Sequence, residues 1–191
     1  MELSPRFDQA LQYATLIHAG QRRKGTEVPY VGHLLGVASI VIDDGGSEDE
    51  AIGALLHDAA EDAGGKGRLA DIRSRFGEVV ASIVAACTDT VETPKPEWRK
   101  RKEDYIAHVA KASAAALRVS AADKLHNARS VLADYRKVGE SLWERFTGKK
   151  DGTLWYYRSM VAVLRKAGGG AIVEELDRVV TELERVAGKQ A

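Results

Sequence analysis

Ala54-Leu55-Leu56-His57-Asp58-Ala59-Ala60-Glu61-Asp62 is the stretch from which the rest of the chain is read. Its alanines and leucines favour a helix, and residues four apart on a helix share a face. That spacing predicts His57 below Glu61 and Asp58 below Asp62 on one helix. Four groups of metal-ligand and acid–base type then gather at the end of an otherwise apolar run. A helix built only for packing has no use for ionisable groups beside Leu55 and Leu56. Burying them is costly unless something compensates, and a cation is the usual compensation.

Working outward, Ser47-Glu48-Asp49-Glu50 is a capping-box pattern that starts this helix, and Gly64-Gly65 stops it. Upstream, Ser4-Pro5 is an N-cap followed by proline in the first turn, which opens a helix to about Ala19. A basic loop, Gln21 to Tyr30, precedes a helix over Val31 to Ile42. Downstream, short helices are expected at Arg68–Arg75 and Glu78–Thr88, then a proline-bearing loop from Val91 to Glu97. Helices follow at Trp98–Lys111, Ser113–Tyr135, Thr153–Lys166 and Ala171–Ala187, the last two split by Gly168-Gly169-Gly170. Strand-type alternation is hard to find. The expectation is an all-α helical bundle forming a single domain over 1–191, with a core from about 5 to 166 and a C-terminal helix over about 171–187.

The composition, 45% hydrophobic and 29% charged, is that of an ordinary soluble protein, and 191 residues suffice for a substantial core. Zero formal net charge argues against a general nucleic-acid or membrane-surface binder. No apolar run reaches the roughly 18 residues of a membrane span, and the start does not read as a signal peptide. A single cysteine, Cys87, excludes an intrachain disulfide and fits a reducing, cytoplasmic setting; it is expected to be a small buried hydrophobe.

Three separated segments offer metal ligands: His33, the pair His57-Asp58, and Asp123. Asp123 lies among alanines and beside Leu125 in a run that reads as buried. Two imidazoles and two carboxylates suit Mn²⁺ or Fe²⁺, with Mg²⁺ and Zn²⁺ as alternatives, better than a closed structural zinc site. Four protein ligands on an octahedral ion leave two positions for water or substrate, as metal-assisted hydrolysis needs. Arg22, Arg23 and Lys24 form a basic cluster ahead of His33, of the kind a phosphate-rich substrate requires. His126, three residues after Asp123, lies within reach of its surroundings, and Trp155-Tyr156-Tyr157 reads as core and rim packing.

The ordered set His33, His57-Asp58, Asp123 resembles that of the HD-type phosphohydrolases. Arg23-Lys24 with Pro29-Tyr30 and His33, Leu55-Leu56-His57-Asp58 with Glu61-Asp62, and Ala122-Asp123 with His126-Asn127 narrow the resemblance to RelA/SpoT-type hydrolase domains, and to a stand-alone small alarmone hydrolase. It runs from about residue 7 to 165, with one departure: Leu34 stands where the family usually has proline. It implies an HD-domain bundle and a 3′-pyrophosphohydrolase of (p)ppGpp or (p)ppApp that releases pyrophosphate. It also implies one Mn²⁺ on His33, His57, Asp58 and Asp123, with Glu61 and Asp62 orienting or deprotonating the attacking water. Arg23 would stack on the base and Lys24 would bind phosphate. Asn127 would lie near the metal and ribose side, and Ser130 would face the base. Alternatives are an HD phosphohydrolase of another nucleotide, such as a 5′-nucleotidase or NADPH phosphatase, and an antitoxin partnered with a small alarmone synthetase.

Overall fold

The computed structural model describes residues 2–62, 64–92 and 94–188; of Asp62 it describes the backbone alone. Nine α-helices are described: α1 Pro5–Ile17, α2 Val31–Asp43, α3 Glu48–Leu56, α4 Ala59–Asp62, α5 Gly65–Cys87, α6 Trp98–Val109, α7 Ala114–Val138, α8 Lys149–Lys166 and α9 Ala171–Gly188. A 3₁₀ segment, Gly139–Arg145, joins α7 to the stretch before α8. Among the described residues the only β-type pairing is an isolated antiparallel bridge between Arg22 and Pro29. The all-α expectation is met.

The helix starts follow the local chemistry. Ser4 Oγ accepts from the Arg6 amide at 3.2 Å with Pro5 in the first turn. Ser47 and Glu50 form the reciprocal capping box at 3.3 and 2.7 Å. Ser113 caps α7 through the Ala116 amide, and Glu97 caps α6 through the amides of Arg99 and Lys100. Each side-chain oxygen satisfies an amide with no partner inside its helix.

α3 is the hub. Every residue from Glu50 to Leu56 is buried, and α1, α2, α5 and α7 pack around it. A helix enclosed on all sides has no polar face, which is why this stretch is short and apolar. Gly53 lets α5 approach: a Cβ there would stand 2.7 Å from Ile83 Cγ2. The long α7 crosses this core and carries α9, whose stripe Ile172, Leu176, Val180 and Leu183 is buried.

Three details depart from the sequence reading. The helix carrying His57 is interrupted, with α3 ending at Leu56 and α4 beginning at Ala59. His57 Nδ1 takes the Ala54 carbonyl at 2.8 Å, the oxygen that a continuing helix would offer to the Asp58 amide. The two short helices expected over 68–88 are instead two halves of α5, bent at Gly77 with φ 90° and ψ 173°. The 3₁₀ segment was not anticipated, and α8 starts four residues before Thr153, at Lys149.

Candidate active site

The break after Leu56 turns His57 and Asp58 toward the start of α2 and the middle of α7. His57 Nε2 lies 3.0 Å from Asp58 Oδ2 and 3.6 Å from Asp123 Oδ1. His33 Nε2 lies 3.3 Å from Asp123 Oδ1, 3.6 Å from Asp58 Oδ2 and 3.3 Å from His57 Nε2. The ligand atoms of His33, His57 and Asp58 all fall within 4.8 Å of one another, and Asp123 Oδ1 faces both imidazoles. Both histidines are 1% exposed. Four N and O donors thus converge from α2, the α3–α4 junction and α7.

The electrostatics of this cluster are those of a cation site. Burial alone would pull His57 down, yet the Asp58 and Asp123 carboxylates hold its pKa well above the ordinary value. Burial would push Asp58 up, but His57 and His33 hold it well below the carboxylate range. Asp123 is likewise held low against burial, by Lys124 and the two histidines. Two carboxylates facing one point, Asp123 buried and Asp58 partly buried, favour positive charge there. A divalent metal fits this donor set, with the mixed N and O chemistry of a hydrolytic ion.

The neighbours fix the donors. Tyr30 donates its hydroxyl to Asp58 Oδ2, and its ring meets the His33 ring edge-on with centroids 5.4 Å apart. Asn127 Nδ2 donates to Asp123 Oδ1 and Lys124 Nζ to Asp123 Oδ2, each at 2.5 Å. His57 Nδ1–H donates to the Ala54 carbonyl, which leaves Nε2 unprotonated for a ligand role in the neutral ring. His126 packs behind His33, and burial together with the charges of His33 and Arg23 pushes its pKa down to about 4.

Above the cluster opens a cleft of about 700 Å³. Of the residues expected to act on substrate, Arg23, Lys24, Glu61, Asn127 and Ser130 line it, whereas Arg22 is absent from its lining. Asp62 belongs to α4, and its side chain lies outside the described residues. Glu61 pairs with Lys95 Nζ at 2.8 Å and Arg101 Nη1 at 3.7 Å. Asp89, nearly buried, gathers Arg101 and Lys102 (the latter at 2.6 Å) along the same wall. From sequence this basic run, Lys95 to Lys102, reads either as a solvated face or as a grip for phosphates. Residue types along this run do not reveal that Asp89 folds part of it inward.

Two close approaches shape the mouth. Gly25, with φ 70°, brings the basic loop against Arg145, where a Cβ would stand 2.7 Å from Cδ. Gly148 and Gly152 seat the Trp98 ring, which a Cβ would meet at 2.5 and 3.1 Å. Trp98 and Tyr30 both line the cleft; the sequence reading gives Trp98 no place in the site and quotes Tyr30 only within the motif that leads to His33.

An HD domain family model matches residues 10–154, about three quarters of the chain. The chain belongs to the HD domain family. Among curated relatives it is similar to the guanosine-3′,5′-bis(diphosphate) 3′-pyrophosphohydrolase MESH1 of Xenopus tropicalis, 40% identical over 126 residues, covering 64% of this chain and 68% of that protein. The MESH1 of Drosophila melanogaster is 37% identical over 131 residues, covering 67% and 70%. Among solved structures it resembles a metazoan ortholog of SpoT described as hydrolyzing ppGpp, with TM-score 0.78 and 29% identity over 96% of this chain and 98% of that one. The HD fold and the resemblance drawn from the sequence are borne out, and the match extends through the helices that carry all four donors.

Proposed function

We propose that this chain is a metal-dependent 3′-pyrophosphohydrolase of nucleotide alarmones, acting on guanosine 3′,5′-bis(diphosphate) as its MESH1 relatives are named for doing. The observation that carries the reading is the position of Glu61. It lines, with Lys95, Arg101 and Lys102, the same cleft as His33, one of the four converging donors.

In this reading those four residues hold one divalent ion, Mn²⁺ by preference. When bound there, such an ion would supply Lewis-acid activation for the hydrolysis. Glu61, with Asp62 beside it in sequence, accepts the proton of the attacking water. Attack falls on the phosphorus next to the 3′ oxygen. That P–O bond breaks, pyrophosphate leaves, and the ribose 3′ oxygen takes up a proton. Lys95, Arg101 and Lys102 form a wall of fixed positive charge along the cleft and bind the phosphates. Arg23 offers a planar guanidinium for the base, and Lys24 a point charge for phosphate. Asn127 keeps Asp123 oriented through its 2.5 Å hydrogen bond. Guanine and adenine present similar faces to a stacked arginine, so (p)ppApp belongs in the substrate class.

The test is purified protein with Mn²⁺ against ppGpp, pppGpp, ppApp and pppApp, with 5′-nucleotides and NADPH as competitors and pyrophosphate as readout. Pyrophosphate from the alarmones is the expected result. Orthophosphate from the competitors alone would replace this reading with the broader HD phosphohydrolase.

A further inference from the structure

His33 and His57 present Nε2 to the same point but are held from behind in different ways. His57 Nδ1 meets a backbone carbonyl at 2.8 Å, the usual arrangement for a metal-ligating histidine. His33 Nδ1 meets another imidazole, His126 Nδ1, at 2.9 Å. Between two neutral rings such a contact needs one donor and one acceptor. Only one assignment leaves His33 able to act as a ligand. If Nε2 carries the lone pair facing Asp58 and Asp123, the ring proton sits on Nδ1 and is donated. His126 must then accept through Nδ1 and carry its own proton on Nε2.

The surroundings of His126 are built for this. Gly36 lies one turn after His33 on α2, and a Cβ there would stand 2.3 Å from His126 Cδ2 and Nε2. The missing side chain is the space the ring occupies. The two rings sit with centroids 4.9 Å apart and planes inclined at 54°, so the contact runs through the nitrogens and not through stacked faces.

We infer that His126 is a positioning residue that fixes the tautomer and orientation of His33, with Gly36 as the gap that admits it. This rests on the proposed metal-holding role of His33. It gives the His-Asn pair after Asp123 two separate tasks: Asn127 orients the carboxylate on its own helix, and His126 orients the imidazole on the facing one.

The experiment measures affinity for Mn²⁺ alone, without nucleotide, by chelator competition. This separates the effect from any contact His126 makes with substrate in the cleft. Wild type, His126→Leu and His126→Asn are compared at matched helicity. Leucine fills the gap but accepts no hydrogen bond; asparagine places an amide oxygen near the Nδ1 position. His126→Leu should bind Mn²⁺ roughly ten- to a hundredfold more weakly, the usual scale for losing an outer-shell partner. His126→Asn should recover most of that loss. Equal affinity of His126→Leu and wild type overturns the inference, as does equal weakness of both variants, which would mean packing alone matters. Absence of Mn²⁺ binding by wild type overturns the metal reading itself, and the inference with it. A second measurement needs no variant. In ¹⁵N-histidine spectra of the Zn²⁺-loaded wild type, His126 should be protonated on Nε2, and a proton on its Nδ1 contradicts the assignment.

Discussion

Glu61 carries two cations, Lys95 at 2.8 Å and Arg101 at 3.7 Å, and both line the cleft where phosphates are proposed to bind. The carboxylate is therefore held in place before substrate arrives. Glu61→Gln keeps the shape and removes the base. Its kcat should fall by roughly a hundredfold or more while Mn²⁺ affinity stays near wild type, as kinetics and metal titration together would show. Near-wild-type turnover would make Glu61 structural and move the base elsewhere. Arg23 and Lys24, which also line the cleft, test substrate binding. Contacts to base and phosphate act on ground and transition states alike, so Arg23→Ala and Lys24→Ala should raise KM more than they lower kcat. The rise should be roughly ten- to a hundredfold, from about 1.5–3 kcal/mol per charged hydrogen bond. Unchanged KM in both would reduce the loop to a solvated surface. At this scale the donors were legible because residue type and motif order name them. The Tyr30 bond to Asp58, Trp98 and the Asp89 cluster were not, because each acts through a contact between segments far apart in sequence.

Among the elements, α5 turns on one glycine. Gly77 adopts φ 90° and ψ 173°, a conformation L side chains rarely adopt, and beyond its chain neighbours and its own helix backbone no atom lies within 4 Å of where a Cβ would stand. Strain is then the whole effect. Gly77→Ala should cost about 1–3 kcal/mol in urea unfolding, whereas Gly67→Ala, at an open helical position, should stabilise by about 0.5–1 kcal/mol. Equal effects would remove Gly77 as the cause of the bend. The start of α3 has its own signature in acid. Glu50 is buried, which raises its pKa, but the Ser47 amide and the Arg118 guanidinium hold it lower still. Its folded value is therefore depressed. The stability it adds is present above the unfolded glutamate pKa of about 4.3 and fades as pH falls through the folded value. Glu50→Gln should flatten the loss of stability below about pH 4.3; an unaltered slope would assign that loss to other carboxylates. Caps and breakers made most helix ends readable: Ser4-Pro5, the Ser47–Glu50 box, Ser113 and the triple glycine all act within one turn. The break after Leu56 escaped notice because a side chain, His57, makes it. The early start of α8 escaped because Gly148 and Gly152 read as helix-poor until Trp98 is seen packed on them.

Over the whole molecule, α9 is laid across α7 and α8 by its apolar stripe, with ion pairs along the rim such as Arg136–Glu182 at 2.9 Å and Arg165–Asp177 at 2.9 Å. Exposed pairs of this kind contribute little each, so the stripe holds the helix and the charges set its register. The proposed ion would stabilise the fold by binding only the folded chain. At a concentration a hundred times its Kd that amounts to about 2.7 kcal/mol, or roughly 5–10 °C in Tm for a chain of this size. Chelation should lower Tm by that amount in calorimetry, and a Tm indifferent to both Mn²⁺ and chelator would count against the four-residue site.

The four donors come from α2, the α3–α4 junction and α7, so no fragment of the chain owns the site. Their order in the sequence therefore sets an order in time. His33 and Asp123 stand 90 residues apart, so closing the loop that brings them together should be a late event of folding. An ion that needs all four groups has nothing to grip on the way to the native state. It should leave the refolding rate alone and slow unfolding, acting as a latch that is thrown last and must open first.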